Sequence, residues 1–542
     1  MTPKDAFAGM PSRCPDCGFT SMETLVPPGL PPLRVDELFS CNDAPLEHER
    51  AVLEAIVRES DDYISVLQQR ISDTRNTLEA LLQEKSNVAK HAAAAKALLN
   101  PVRRLSADVL IEIFTACTAR IPIRTDTDPL IDLPSNSIDS LNSKAMPWVL
   151  SQVCATWRTT ALETAKLWSY IKLDMDEYVN HMEYVFRFGI LLARTRTHPL
   201  SVSISANTSI SHQPILAMIL STSSRWAELR VSAPFHAFLP FNNVSQSLPV
   251  LEVLAIHILD DANLGAHPEP SHIVHGFKHA PKLRSLSLVQ AIGKPISFSK
   301  RFALPVAKVS RLRAHMAPAH AASLLCWDGA QTAESACFVM LEHGLQRLEV
   351  PMTRHAYLRD LSVVEWGFIS SSGAIAELIS NLQLPSLQKL KLSYEGMTLN
   401  LPVISRETIP ALTELEIRST RLAADGDALA DMLHWTPKLT SLTLAVNFRE
   451  TDLFLSLEKF HDNAFELVPR LHTISLVGAA FDVNCRSHVI VELAEARRLI
   501  ACAHEPLLKR VYLNKDSRVP AGHKKRWNKL RHGGLEILFL SP

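Results

Sequence analysis

PSLQKLKL (385–392), PALTELEI (410–417) and PKLTSLTL (437–444) are three copies of one unit, Pro-x-Leu-x-x-Leu-x-Leu, with Ile or Val allowed. The unit recurs as PVLEVLAI (249–256), PKLRSLSL (281–288), PRLHTISL (469–476) and PLLKRVYL (506–513). Weaker copies are WAELRV (226–231), VSRLRA (309–314), LQRLEV (345–350) and LEILFL (535–540). The last two apolar positions of each copy are two apart, so they point to one face of a short strand. Leu387, Leu412, Leu439 and Leu471, the first apolar positions of successive copies, are 25 to 32 residues apart. A motif repeating at that period predicts a solenoid over residues 226–542.

Between copies, SGAIAELISNL and DGDALADMLHW have helical spacing and would form an outer wall. The pattern resembles the leucine-rich repeat. It departs by lacking the regular Asn or Cys after the strand, so carbonyls inside the turns need other partners. Aligning the copies sets Lys389 beside Glu414 and Lys391 beside Glu416, which reads as a ladder of cross-strand ion pairs. Arg510 and Tyr512, on the same face near the C-terminal end, are residue types favoured at binding hot spots and are the expected substrate contacts.

Upstream, residues 99–173 carry LLNPVRRLSADVLIEIFTAC and PWVLSQVCATWRTTALETAKLWSYIKL, two apolar helical stripes separated by a polar loop. Leu105, Val109, Leu110, Ile113 and Phe114 form the first stripe; Val149, Leu150, Val153, Cys154 and Trp157 form the second. These residues resemble an F-box. The likeness rests on Leu105 to Leu110, Ile113-Phe114, Val153-Cys154-Ala155-Thr156-Trp157-Arg158 and Trp168. Ser106 stands where the family usually has Pro, and Asp108 where it has Glu. The insertion Ala119–Met146 replaces a short connection, and it reads as a surface loop whose segment 126–143 is dispensable. The resemblance implies docking on a Skp-type adaptor, and through it a cullin. Leu105, Leu110, Ile113, Phe114, Val149, Leu150, Val153 and Trp157 would then face the adaptor or support the helices that do.

Residues 46–100 carry a heptad seam. Val57, Ile64, Ile71, Leu78, Lys85, Ala92 and Leu99 fall at a; Leu53, Ser60, Leu67, Thr74, Leu81, Val88 and Ala95 fall at d; the alternative is one long helix folded back on the F-box-like helices. Ser60, Thr74 and Lys85 interrupt the seam, so only weak self-association is expected. Residues 1–45 read as a Pro-rich arm in which Cys14 and Cys17 are half a zinc knuckle without a second half. Residues 174–225 read as a connecting amphipathic helix (MDEYVNHMEYVFRFGILLART) and a first strand at 198–204.

The fold class is therefore α/β: a long helix, a small helical F-box-like domain over 101–173, and an irregular repeat solenoid with a parallel sheet. The formal net charge of zero over 542 residues offers no bulk field for nucleic acid or membrane. Nine scattered cysteines and no leader-like start suit a reducing cytoplasmic or nuclear setting. No GxSxG, HExxH, GxGxxG or P-loop occurs, so no enzyme, cofactor or metal is expected. His272, His275 and His279 read as a solvated helix face, and the basic run KKRWNKLR (524–531) as a basic face on a capping helix, the alternative being a nuclear address or phosphate contact. The expected function is a non-catalytic substrate-recognition subunit of a cullin-RING ubiquitin ligase. The alternative is an interaction scaffold whose F-box-like helices cap the solenoid.

Overall fold

The computed structural model describes residues 34–118 and 139–540, apart from 179–180, 209, 211, 245–247, 260–272, 291–297, 306–307, 342–348, 367–372, 396–398, 406, 449–451, 462–463, 477–486, 500–507 and 515–522. Cys14, Cys17 and the Pro-rich arm before residue 34 lie outside the described residues, as do 119–138 of the insertion and His272. The chain divides into two units, Met1–Ser106 and Ala107–Pro542.

In the first unit α1 (Val35–Ser40) precedes α2 (Glu47–Leu98), 52 residues without a break. At 1.5 Å per residue α2 is about 78 Å long. Glu49 closes its N-terminus, its Oε2 accepting from the Leu46 N–H at 2.8 Å and its Oε1 from Arg34 Nε at 3.0 Å. The Arg34 hydrogen bond, then that backbone N–H, holds the Glu49 carboxyl below its ordinary range. Every other described α2 side chain is half-buried or exposed.

The second unit is built on a sheet of fourteen strands, all neighbouring pairs parallel, running in chain order from β1 (Tyr170–Asp174) to Glu536–Leu540. The inward positions align across it. Ile171, Val202, Leu229, Leu254, Leu286 and Leu312 make one half of a continuous column. Ala336, Leu361, Leu390, Leu415, Leu442, Ile474, Val511 and Ile537 complete it, and all fourteen are buried. Helices Ala374–Ser380 and Gly426–His434 occupy the two inter-copy segments read as helical, each burying its apolar stripe.

Three features differ from the sequence reading. The sheet begins at Tyr170, well before residue 226, because YIKLD and LSVSIS extend the same column without the Pro-led motif. The strands Ser335–Leu341 and Asp360–Trp366 pair directly with each other, whereas the described residues of LQRLEV, 349–350, are not in a strand. Ala336 and Phe338 replace the leucines of the first of these strands. Leu358, Leu361 and Val363 keep the spacing of the second without a leading Pro. The helix read over 175–195 breaks into a 3-10 turn, Met175–Tyr178, and α6 (Met182–Thr195).

Two groups of carbonyls outside the ladder are met by arginines. Arg497, fully buried, donates to the carbonyls of Leu457, Val468 and Leu467 at 2.8–3.1 Å and lies 4.4 Å over the Phe465 ring. Burial pulls its pKa down to about 10. Arg225 does the same for His198 and Thr195.

On the solvent face Lys389 sits opposite Glu414 with Nζ–Oε2 at 3.1 Å, and Lys391 opposite Glu416 at 3.6 Å. Glu416 also pairs with Arg418 two residues on. Because solvent screens these groups, each pair contributes about 0.2–1 kcal/mol. A double-mutant alanine cycle between Lys389 and Glu414 should give a coupling in that range, read from chemical denaturation. The same cycle between Lys389 and Glu416, which are not opposite, should give none.

Candidate functional site

The helices between Ala107 and β1 carry the eight residues read as adaptor-facing, save Leu105, which is half-buried in the first unit. α3 (Ala107–Thr118) buries Leu110 and Phe114 and leaves Val109 and Ile113, one turn apart on one face, 44% and 40% exposed. A 3-10 turn, Leu150–Gln152, buries Leu150; Val149 is half-buried, and Val153 just beyond is 57% exposed. α4 (Ala155–Glu163) follows, and α5 (Ala165–Trp168) leads into β1.

The Val-Cys-x-x-Trp-Arg element has a local structural reason. Cys154 is extended and caps α4, its Sγ accepting from the Trp157 N–H at 3.5 Å. Trp157, half-buried, meets the Phe114 ring edge-on at 4.9 Å and so joins α4 to α3. Arg158 Nε donates to the Ser151 carbonyl at 3.0 Å and fixes the turn before the helix. Trp168 is buried, its Nε1 donating to the Ala161 carbonyl at 2.7 Å. Of the expected docking residues, then, Leu110, Phe114 and Leu150 support from within, while Ile113 and Val153 reach solvent.

The end of the insertion is part of this structure, which corrects the reading of 126–143 as dispensable. Ser140 pairs with β1: its N–H donates to the Lys172 carbonyl at 2.9 Å, and its Oγ accepts from the Lys172 N–H at 2.8 Å. Asp139 accepts from the N–H groups of Leu141 and Asp174 at 2.7 and 2.8 Å. Leu141 is fully buried, and its carbonyl accepts from Arg187 Nη1. Trp148 Nε1 donates to the Ser140 carbonyl, and its ring meets Trp168 edge-on at 5.0 Å. Arg194 of α6 spans both indoles at 4.5 and 4.3 Å, and burial lowers its pKa. The segment thus covers the free edge of β1, where unpaired backbone groups would otherwise face outward. A polar sequence hid this because its work is done by backbone groups, the Asp139 carboxylate, the Ser140 hydroxyl and one leucine.

Asp139 is a half-buried carboxyl whose pKa is raised by desolvation, against the pull of the Tyr178 hydroxyl and its two backbone donors. Among the described residues no three His, Cys, Asp or Glu side chains gather into a metal-binding group. No helix among them is long and apolar enough to cross a membrane.

The expected substrate residues are placed on the strand Arg510–Asn514. Arg510 Nε donates to Glu536 Oε2 on the last strand at 2.6 Å, a hydrogen bond that raises its pKa; Tyr512 is half-buried between Ser475 and Leu538. Arg510 therefore serves a strand pair like Lys389. The sequence reading passed over Arg311 and Arg313 in VSRLRA. They flank Ser285 and Ser287 on one neighbouring strand, and Ser335 and Cys337 on the other. Arg311 is exposed and forms no ion pair among the described residues. The signal was available in the register of the copies, once the strand Ser335–Leu341 is admitted.

No family model matches the chain, and no curated protein matches it either.

Deleting residues 126–143 should lower stability and solubility, since it removes Asp139, Ser140 and Leu141 together. Leu141→Ala alone should cost about 2–5 kcal/mol in denaturant titrations. Asp139 has a folded pKa above its unfolded one. Its protonation therefore stabilises fully below about pH 4, and that contribution is lost as pH rises through the folded pKa. The stability of Asp139→Asn relative to the native chain should accordingly improve as pH rises from about 4 through the folded pKa.

Proposed function

We propose that this chain is a non-catalytic substrate-recognition subunit of a cullin-RING ubiquitin ligase, with the helices after Ala107 docking a Skp-type adaptor. The reading is carried by one observation. α3 is held from behind by Leu110 and Phe114, yet presents Val109 and Ile113 to solvent, with Val153 also exposed at the turn before α4. Exposed apolar side chains on a well-supported helix suit a partner of apolar chemistry. The solvent face of the sheet would hold a substrate protein, with Arg311, Arg313 and Tyr512 as its contacts. The chain works in the cytoplasm or nucleus and needs no cofactor.

A second reading has its own observation. Residues 139–141, Trp148 and Trp168 cover the β1 edge, so the same helices serve as the cap that a solenoid end requires. Under that reading the chain is an interaction scaffold with no ligase role.

Coexpression with the adaptor separates the two. Ile113→Asp combined with Val153→Asp should abolish co-purification and leave circular dichroism and thermal midpoint nearly unchanged. Phe114→Ala should instead destabilise the fold by about 3–5 kcal/mol. A folded Ile113→Asp/Val153→Asp chain that still retains the adaptor would contradict the ligase reading.

A further inference from the structure

The structure leaves the α2 seam open. Ile64, Ile71, Leu78, Leu81 and Val88 are 49–61% exposed on an unbroken helix. We propose that α2 pairs with α2 of a second copy of this chain in antiparallel orientation, with residue n facing residue 145 − n of the second copy. The polar interruptions of the seam decide both occupant and direction.

A parallel, in-register pair stacks like on like. Lys85 would meet Lys85 of the second copy at a core position, and Arg70 at g would face Arg75 at e. Both contacts are repulsive, and e/g charges and polar core residues set orientation in such helices. In an antiparallel pair each a residue faces a d residue. With the positions summing to 145, Val57 meets Val88, Ile64 meets Leu81, and Leu67 meets Leu78. Lys85 then meets Ser60, with Asp61 adjacent to receive its ammonium. Thr74 faces Ile71, at the centre. Sliding the pair by one heptad in either direction sets Lys85 against Leu53 or Leu67. Of these three registers one alone matches the long polar side chain to a small polar partner beside a carboxylate. A buried lysine without such a partner carries a heavy desolvation cost.

Sedimentation equilibrium of the full chain tests this, with circular dichroism confirming unchanged helix content. The native chain should show a reversible monomer–dimer equilibrium of the 60.2 kDa species. Ser60→Lys should weaken the dimer about tenfold by facing two lysines. Adding Lys85→Glu should restore it, since the introduced carboxylate then faces the introduced ammonium of the second copy. A parallel pair would respond the opposite way: the double variant would face Lys with Lys and Glu with Glu, and be the weakest of all. That outcome overturns the proposal. So does a native chain that stays monomeric at every concentration, its seam covered by its own N-terminal arm.

Discussion

From Glu252 to His472 one backbone carbonyl per repeat accepts two successive N–H groups from the next repeat, and the sheet depends on this. The carbonyl of Glu252 takes the N–H of Arg284 and of Ser285; that of Arg284 takes Ser310 and Arg311; that of Ser310 takes Glu334 and Ser335. The chain of bonds continues through Glu334, Arg359, Gln388, Thr413, Thr440 and His472, at 2.8–3.1 Å throughout. Each acceptor is the residue immediately before a strand or next to it, so the bonds lock the strand starts in line before any side chain is counted. A slip of one residue would turn every inward leucine to solvent. The ladder therefore fixes the buried column, and the buried column fixes which charges meet on the other face. Lys389 finds Glu414 for that reason.

Such a ladder has two ends, and they are treated differently. At the first, Ser140 bonds to β1 and Asp139 gathers two further N–H groups, so the strand edge is closed by a segment from the insertion. At the last, the basic helix Lys524–His532 precedes the final strand, buries Trp527 and Leu530, and is tied by Arg526 to Glu495. The basic run is thus anchored on one side by packing and ion pairing. Helices α3, α4 and α5 belong to the first closure. Their inner residues serve the cap, while Val109, Ile113 and Val153 remain outside it and exposed.

Much of this was legible in the sequence, and the reasons are specific. Leucine spacing exposed the copies at 385–392, 410–417 and 437–444, since inward positions tolerate little but large aliphatic side chains. The ion pairs followed from aligning those copies. Tyr170–Asp174, Ser335–Leu341 and Asp360–Trp366 escape that pattern, because Ile171, Ala336, Phe338 and Val363 take inward positions beside Leu173 and Leu361 and no proline leads the motif. The partners of the turn carbonyls were not legible at all. Arg497 and Arg225 reach carbonyls about 30 residues distant in sequence, and no local pattern marks an arginine for burial. The apolar residues expected from the sequence to face a partner divide for a similar reason. Helical spacing shows a stripe, but which half of it packs inward depends on Trp157 crossing to Phe114.

The central functional claim is that the exposed edge of α3 and the turn at Val153 receive an adaptor. Hydrogen exchange followed by mass spectrometry, with and without a Skp-type adaptor, addresses it most directly. The account expects added protection confined to peptides within Ala107–Glu163, with exchange along the strands unchanged. Protection along the solvent face of the sheet instead, or none anywhere at saturating adaptor, would contradict it.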